Sequence, residues 1–270
     1  MNITFVGGGN MATALIGGML QKGYATAGIK VVEVVPEARE RLARDYGVRA
    51  TAELAEGIAG SDTLVLAVKP QQLRELAGRM RSLLGGQLVI SIAAGIRAGD
   101  IARWLGGHAN LVRAMPNTPA LIQAGITGLY ALPGVGAGGR AEAERILGAV
   151  GETLWLGDES MLDAVTAVSG SGPAYVFYFI EALQEAAVAL GLAPGEARRL
   201  ALATFLGAAR LAAASPEEAA TLRARVTSRG GTTERAIGVL DEAGVMQQFA
   251  RAVAAAAERS RELGDEIGKA

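Results

Sequence analysis

Three consecutive glycines near the N-terminus, Gly7, Gly8 and Gly9, constrain the fold of this chain more than any other feature. They follow a short apolar segment, residues 3–6, which has the length and composition of a buried strand. An amphipathic segment typical of a helix follows them directly. Strand, glycine turn and helix together predict the first half of a βαβ unit.

The spacing of these residues matches a dinucleotide-binding fingerprint. Gly7, Gly9 and Ala12 fit the pattern G-x-G-x-x-G/A, in which the residues allow a tight turn, the approach of a pyrophosphate and close packing of helix on strand. The first helical residues, Asn10 and Met11, would carry free N–H groups that face the phosphates. Glycine turns between strand and helix also have purely structural uses, so the fingerprint depends on its surroundings.

A second strand, predicted at residues 30–35, supports the dinucleotide-binding interpretation of the fingerprint. It carries Glu33, about twenty residues after Ala12, where an acidic side chain can hydrogen-bond a ribose 2′-OH. The same carboxylate would repel the 2′-phosphate of NADPH. Glu33 thus favours NADH, and NADPH stays open as the other candidate cofactor.

Apolar strands and amphipathic helices continue to alternate over the first part of the chain. Further strands are predicted at residues 63–68, 88–92, 111–115, 126–132 and 153–156, with helices at residues 36–46, 73–80, 101–105 and 140–150. The alternation indicates an α/β domain over residues 1–158, a Rossmann-like doubly wound and mostly parallel sheet. After residue 158 no strand pattern appears and alanine becomes abundant. We therefore predict an all-α domain over residues 159–270, whose apolar helix faces indicate burial by a second subunit.

Ligands of doubly wound sheets bind at the carboxyl ends of the strands. Besides the glycine turn and Glu33, the predicted positions there are Ala67, Val68, Lys69, Pro70, Ala93, Ala94, Gly95 and Asn117. We expect them to line one crevice. Lys69 has two interpretations, a contact to the cofactor or a solvated lysine before a proline.

Composition narrows the class of partner. The net charge is −1, which provides no basic face for nucleic acid and no polybasic patch for a membrane. The chain has no cysteine and one histidine, His108, so no cysteine or histidine-rich metal site is expected. The first strand begins at once, without the pattern of a signal peptide. We expect a cytoplasmic protein that binds small molecules and further copies of itself.

A second chemical signal lies at residues 225–237. There Ser228 precedes a double glycine, and Gly231, Thr232 and Thr233 open a predicted helix. A helix N-terminus with free N–H groups and small hydroxyl side chains can bind a carboxylate. The same residues also suit an ordinary helix cap. Residues 169–173 interrupt an earlier helix with two glycines and a proline, which predicts a kink or a junction between two helices. A direct role of this segment in the chemistry is the alternative.

Six motifs taken together resemble those of the pyrroline-5-carboxylate reductase family. They are GGGNMA, AVKPQ, SIAAG, RAMPNTPAL, DAVTAVSGSGPAY and VTSRGGTTE, in this order along nearly the whole chain. The resemblance implies reduction of 1-pyrroline-5-carboxylate to L-proline by NAD(P)H and a helical domain that interlocks with a second subunit as a homodimer or higher oligomer. The chain departs from the family at Arg229, where proline is usual, and at Leu54, near which many relatives have an asparagine.

The resemblance also implies roles for individual residues. Ser228 and the N–H groups of Gly231, Thr232 and Thr233 would hold the substrate carboxylate, and the Thr233 hydroxyl would lie near the ring nitrogen as the catalytic group. Glu159 would lie near the substrate amine, although a first-turn helical carboxylate is an equal interpretation.

The chemistry needs little else, because an iminium carbon is already electrophilic and has mainly to be positioned. Two other functions stay open. One is a different NAD(P)-dependent imine or keto-acid reductase of the same architecture, and the other is a non-catalytic dinucleotide sensor.

Overall fold

An eight-stranded sheet is the centre of the first of two compact units. The computed structural model describes residues 2–269. The first unit contains the chain up to residue 171 together with the residues from 256 onward, and the second contains residues 172–255. The strands are β1 Ile3–Val6, β2 Ile29–Val32, β3 Arg49–Thr51, β4 Thr63–Leu66, β5 Leu88–Ser91, β6 Leu111–Met115, β7 Gly125–Ala131 and β8 Gly151–Trp155.

Helices follow most of these strands, and further helices follow β8. They are α1 Asn10–Gln21, α2 Pro36–Tyr46, α3 Leu54–Ile58, α4 Pro70–Met80, α5 Ala98–Trp104, α6 Ala137–Leu147, α7 Met161–Val165, α8 Gly172–Ala189, α9 Pro194–Ala214, α10 Ala219–Arg225, α11 Thr232–Glu242 and α12 Val245–Lys269.

The strand order places a topological switch point beside β1. The order across the sheet is β3-β2-β1-β4-β5-β6-β7-β8. The strands from β3 to β6 in this order are parallel, β7 is antiparallel to β6, and β8 is parallel to β7. The chain therefore moves outward from β1 in one direction and returns to continue from β4 in the other, which leaves a crevice at the carboxyl ends of β1, β2 and β4. The predicted doubly wound, mostly parallel sheet is confirmed.

Alternate side chains of the central strands enter two separate cores. Phe5 packs on one face of the sheet with Leu15 of α1, and Val6 packs on the other with Leu73 of α4. Burial of one such apolar side chain contributes roughly 1.5–3 kcal/mol. Both faces are covered, which is why these strands read as continuous apolar runs.

The second strand ends earlier than the sequence predicts. It stops at Val32, and Val34 and Val35 lie outside the sheet with 69% and 48% of their surface exposed. Pro36 begins α2, and a residue before proline is held in an extended conformation away from the helix. The two valines continue the β-branched pattern in sequence, and so the prediction extended the strand too far. The third predicted strand likewise ends at Leu66 rather than at residue 68.

The sequence analysis missed β3 and α3. They contain three and five residues, too few for either periodicity to show. Gly57 of α3 lies against β2, since a Cβ there would be 2.1 Å from Val32 Cγ2. Helix α3 therefore packs closely against β2, the strand that lies next to β1 in the sheet.

The second unit consists of helices. Three aromatic rings pack together in it, with the ring of Phe249 5.5 Å from that of Tyr175 and 5.7 Å from that of Phe179. Neighbouring Phe177 and Tyr178 are 66% and 69% exposed. Helix α8 begins at Gly172, directly after the wide turn Thr166–Gly170, where the sequence predicts a helix junction. Between residues 2 and 269 no helix has the length and apolar character to cross a membrane.

Candidate functional site

A cavity of about 430 Å³ lies at the switch point of the sheet. Its lining comes from the carboxyl ends of β1, β2 and β4, from the loops that follow them, from the segment between β3 and α3, and from one face of α4. The lining residues are Val6, Gly7, Gly8, Gly9, Val32, Glu33, Val34, Val35, Ala52, Leu54, Ala67, Val68, Lys69, Gln72, Glu75, Leu76 and Arg79. Of the residues predicted for cofactor binding, seven lie on this lining: the three glycines, Glu33, Ala67, Val68 and Lys69.

The three glycines shape the floor of the cavity. Gly7 has a φ of +105°, and a Cβ there would be 2.7 Å from the Ala67 carbonyl oxygen, so β1 can approach the end of β4 only with glycine. A Cβ on Gly8 would be 2.6 Å from Leu42 Cδ1. A Cβ on Gly9 would meet no heavy atom within 4 Å, so the space in front of the helix start is open.

Helix α1 starts directly at that open space. Gly9 is its N-cap residue and offers no side chain, and within the described chain no side chain caps the helix. The N–H groups of the first turn and the positive end of the helix dipole therefore point to a position where a phosphate fits. The open volume and the uncapped helix suit a dinucleotide pyrophosphate.

Glu33 lies next to this turn. Its Oε2 accepts a hydrogen bond from the Gly8 N–H at 2.8 Å, and its Oε1 accepts one from the Val35 N–H at 2.9 Å. Arg39 Nη1 donates to the backbone oxygen of Glu33 at 2.7 Å. The two N–H donors thus hold the carboxylate in a fixed position on the cavity wall. The Arg39 guanidinium binds the backbone of the same residue.

The opposite wall is a helix face that the sequence analysis did not assign. Gln72, Glu75, Leu76 and Arg79 follow one side of α4 at helical spacing. In sequence such a face is indistinguishable from an ordinary solvated one. Lys69, the N-cap residue of α4, extends this wall toward the glycine turn.

The remaining lining residues, Ala52 and Leu54, lie after β3 and at the start of α3. Leu54, the first residue of α3, lies on the cavity. Glu56 ties the two elements together, because its carboxylate accepts hydrogen bonds from the Thr51 hydroxyl at 2.8 Å and from Arg49 Nη2 at 2.5 Å. These two donors, the hydroxyl first, hold the pKa of Glu56 below its usual range.

The other predicted cofactor residues lie outside this lining. Asn10, Met11 and Ala12 form the first turn of α1, where fully buried Ala12 packs in the core as the fingerprint predicts. Pro70 is the first residue of α4. The segment from Ala93 to Gly95 directly follows β5, with Ala94 exposed and its two neighbours buried.

Asn117 joins two parts of the first unit. Its Nδ2 donates to the Ser169 backbone oxygen at 3.1 Å, and its Oδ1 accepts from the Ile126 N–H at 3.0 Å. Both ends of the amide are therefore engaged within the protein. The contact anchors the end of β6 to β7 and to the wide turn that precedes α8.

Glu159 forms an ion pair inside the first unit. Its Oε1 accepts hydrogen bonds from Arg113 Nη1 at 2.9 Å and from the Ala98 N–H at 2.6 Å. The Arg113 side chain on β6 is only 6% exposed. The carboxylate thus neutralises a buried guanidinium and caps α5. This contact gives Glu159 a structural role that neither interpretation from the sequence included.

The residues predicted to hold a carboxylate lie at the start of α11, in the second unit. Gly231 is the N-cap residue and makes no side-chain cap, and its N–H donates to the Ser228 backbone oxygen at 3.0 Å. The Glu234 carboxylate, on the first turn of the helix, accepts a hydrogen bond from the Gly230 N–H at 2.7 Å. Thr232 and Thr233 are the first two helical residues. The helix start therefore carries a carboxylate as well as hydroxyl side chains, and the Thr233 hydroxyl is not used as a cap.

His108, the one histidine of the sequence, is anchored in its loop. Its Nε2 lies 2.8 Å from the Gln87 backbone oxygen, and the residue is half-buried. Across residues 2–269 no group of three or more histidine, aspartate or glutamate side chains is arranged to hold a metal ion.

The switch-point cavity, the glycine turn and the uncapped helix define a dinucleotide-binding protein of the doubly wound class. Comparison with known families agrees with this class and narrows it. Residues 159–263 match the model described as pyrroline-5-carboxylate reductase dimerisation, and residues 2–95 match the model described as NADP oxidoreductase coenzyme F420-dependent.

Individual relatives cover almost the whole chain. The pyrroline-5-carboxylate reductase of Pseudomonas aeruginosa is 44% identical over 99% of this chain and 98% of its own length. The structure of a pyrroline-5-carboxylate reductase from Coxiella burnetii has a TM-score of 0.92 and 42% identity over 97% of this chain and 98% of its own. That of the Plasmodium falciparum enzyme, which has NADP bound, has a TM-score of 0.88 and 26% identity over 98% of both chains. This chain belongs to the pyrroline-5-carboxylate reductase family.

Proposed function

We propose that this protein catalyses the NAD(P)H-dependent reduction of 1-pyrroline-5-carboxylate to L-proline, the last step of proline biosynthesis. The observation that carries the proposal is the full-length relationship to reductases of that name, 44% identity over 99% of the chain. The glycine-lined cavity at the switch point supports it independently, because it supplies a place for the cofactor.

The cofactor is assigned to the cavity of the first unit. The first-turn N–H groups of α1 would hold the pyrophosphate, and Glu33 would meet the ribose of the adenosine half. Lys69 and Arg79 supply positive charge on the facing wall. Ala93, Ala94, Gly95 and Asn117 remain our assignment for the nicotinamide side, on the basis of their place after β5 and β6. When bound, the reduced nicotinamide supplies the hydride.

The substrate carboxylate is assigned to the start of α11. The N–H groups of Thr232 and Thr233, the first two residues of α11, would bind it. The Gly231 N–H would join them by giving up its hydrogen bond to the Ser228 backbone oxygen at 3.0 Å, and the Ser228 hydroxyl would be a further donor. An anion placed there is favoured by the helix dipole, typically by 0.3–1 kcal/mol at an exposed position. The Thr233 hydroxyl would then donate to the ring nitrogen as the imine becomes an amine.

Glu159 is assigned near the substrate amine through the family resemblance. Its Oε1 already accepts hydrogen bonds from Arg113 and Ala98. Any contact with the amine therefore has to share the carboxylate with this ion pair. A stability measurement separates the two roles.

The working assembly is proposed to be a homodimer or a higher oligomer of it, built by residues 159–270. The dimerisation model of the family spans residues 159–263. We place the enzyme in the cytoplasm, with no nucleic-acid or membrane partner, because its net charge of −1 offers neither of them a basic surface.

A panel of substrates tests the proposed reaction. Purified protein would be mixed with NADPH or NADH and with 1-pyrroline-5-carboxylate, other cyclic imines and several 2-keto acids. Consumption of the reduced cofactor is followed by its absorbance, and L-proline is identified by mass spectrometry. Turnover of a different imine or a keto acid in place of 1-pyrroline-5-carboxylate would establish the related reductase instead. Cofactor binding without turnover of any substrate would establish a sensor.

A further inference from the structure

The last turns of α12 pack against the loop that follows β5. Gly264 is buried at this contact, and a Cβ on it would be 3.0 Å from the Gly95 backbone oxygen. A Cβ on Gly95 would in turn be 3.2 Å from Leu263 Cβ. The two backbones are therefore in close contact, and a Cβ on either glycine would displace its neighbour by a few tenths of an ångström.

Further contacts fix the same end of the helix. Arg97 Nη2, two residues beyond Gly95, donates to Asp265 Oδ1 at 2.5 Å. One turn earlier on α12, the buried Ser260 hydroxyl donates to Asp163 Oδ1 at 2.6 Å. Ile267, one turn beyond Leu263, packs against the core on that side of the sheet. The helix is thus held from several sides where it meets the loop.

The loop itself has a backbone that depends on this support. Gly95 has a φ of +75°, in the left-handed region. Ala94 is exposed, while Ala93 and Ile96 on either side are buried. Because the loop directly follows the carboxyl end of β5, its exposed backbone faces the edge of the sheet where a dinucleotide binds.

We propose that Gly264 is a positioning residue, and that the C-terminal helix fixes the loop from Ala93 to Gly95 in the conformation that binds the nicotinamide half of the cofactor. The proposal rests on the proposed function for the identity of that cofactor. A positioning effect of this kind requires no contact between α12 and the cofactor. Geometry alone is sufficient for such an effect, since misplacement of a binding group by about 1 Å can cost about 100-fold.

Two glycines of the same helix face provide a matched pair of variants. Gly264→Ala places its Cβ against the Gly95 carbonyl, which can move only with the loop. Gly268→Ala places its Cβ 2.5 Å from Asp100 Oδ2, a side-chain atom that can rotate away. Both changes add one methyl group to α12, but only the first displaces the loop.

The measurements are the dissociation constant of the reduced cofactor, from quenching of protein fluorescence without substrate, and hydrogen exchange of peptides covering residues 88–98. For Gly264→Ala we expect the dissociation constant and the KM for the cofactor to rise about fivefold or more, with faster exchange in those peptides. The KM for the imine should stay within about twofold. For Gly268→Ala all these values should stay within about twofold of those of the wild type.

Equal effects of the two variants, or no effect of either, would overturn the proposal. If Gly264→Ala does not fold, Asp265→Ala removes only the tether to Arg97 and should raise exchange at residues 93–97 and the dissociation constant in the same direction. Unchanged exchange and affinity in that variant would likewise overturn it. A wild-type protein that binds the cofactor but does not reduce 1-pyrroline-5-carboxylate would refute the proposed function and leave this test of the loop intact.

Discussion

The carboxylate of Glu33 accepts a hydrogen bond from the Gly8 N–H at 2.8 Å, which joins the end of β2 to the glycine turn after β1. A second hydrogen bond, from the Val35 N–H, holds the other carboxylate oxygen. The negative charge is therefore fixed on the wall of the dinucleotide cavity rather than free to turn into solvent. A 2′-phosphate bound there would approach this charge directly.

Glu33→Ser should shift the cofactor preference toward NADPH. The change removes the repulsive charge and leaves Arg39, whose guanidinium already contacts the Glu33 backbone oxygen. We expect the ratio of kcat/KM values for NADPH and NADH to rise about tenfold, on the order of 1.4 kcal/mol. The wild type should use both cofactors.

Glu75→Ser is the matched control, since Glu75 lies on the same cavity but on α4. It removes the same charge without touching the glycine turn. A shift of less than about twofold for Glu33→Ser, ~0.4 kcal/mol, would mean that Glu33 does not read the ribose. An equal shift in both variants would indicate a general charge effect.

The Arg113 and Glu159 pair gives a prediction about stability. Glu159→Ala leaves a guanidinium that is 94% buried without its carboxylate, since its side chain is only 6% exposed. Loss of one partner of a buried pair costs roughly 3–5 kcal/mol, and the partial exposure of Glu159 places the expected loss near ~3 kcal/mol. Glu159→Gln keeps an acceptor for the Ala98 N–H and should cost less. Urea unfolding measures both values.

Asp45→Ala is the control for this pair. It breaks the exposed ion pair with Arg44, which should change the free energy of unfolding by no more than about 1 kcal/mol. An equally small loss for Glu159→Ala would contradict the structural role of Glu159. A large fall in kcat/KM for the imine in Glu159→Gln, at unchanged stability, would support the contact with the substrate amine.

Features that extend over many residues were predictable from the sequence. The glycine turn, the two-sided burial of the central strands and the change to helices after residue 158 each depend on a repeated pattern. The short elements β3 and α3 have no such pattern. Val34 and Val35 have the β-branched composition of a strand, but β2 ends before them and Pro36 begins α2 after them. Periodicity cannot distinguish a β-branched loop from a β-branched strand.

Some side-chain contacts could not be predicted from the sequence for a different reason. Arg113 and Glu159 are far apart in sequence, and only the fold brings β6 near the start of α7. The cavity face of α4, with Gln72, Glu75 and Arg79, has the composition of any solvated helix face. The contact of Gly264 with Gly95 likewise depends on a close approach of two backbones that no motif encodes.

The exposed aromatic surface of the second unit predicts an obligatory oligomer. Phe177 and Tyr178 are 66% and 69% exposed, and Leu190 near the end of the same helix is 86% exposed. Apolar side chains of this size are rarely left on the surface of a monomer as a group. Phe177→Arg should therefore shift the sedimentation coefficient toward that of a monomer and abolish activity at assay concentration.

Glu40→Arg is the control for the introduced charge, because Glu40 is exposed on α2 of the first unit. It should sediment and react as the wild type does. Wild-type protein that sediments as an active monomer would refute the obligatory oligomer.

The hydroxyl of Thr233 is predicted to act in the transition state. If it donates to the ring nitrogen as the imine becomes an amine, Thr233→Ala should lower kcat and kcat/KM together by roughly 10 to 100 fold, on the order of 1.4 to 2.7 kcal/mol. Thr233→Ser retains the hydroxyl and should keep most of the activity. Ser228→Ala removes a contact made equally to substrate and transition state, and should mainly raise the KM for the imine.

The structure separates this chemical role from a capping role. Gly231 is the N-cap residue of α11 and makes no side-chain cap, and the carboxylate that accepts the Gly230 N–H at this helix start belongs to Glu234, not to Thr233. Thr233→Ala should therefore leave the free energy of unfolding within about 0.5 kcal/mol, whereas loss of a true N-cap costs about 1 kcal/mol. Thr221→Ala, at an exposed threonine of α10, controls for the loss of a hydroxyl on a helix of the same unit. The KM for NAD(P)H should hardly change in any of these variants. Normal turnover of Thr233→Ala would show that the hydroxyl takes no part in the reaction, and lowered stability with normal turnover would assign it to the helix start alone.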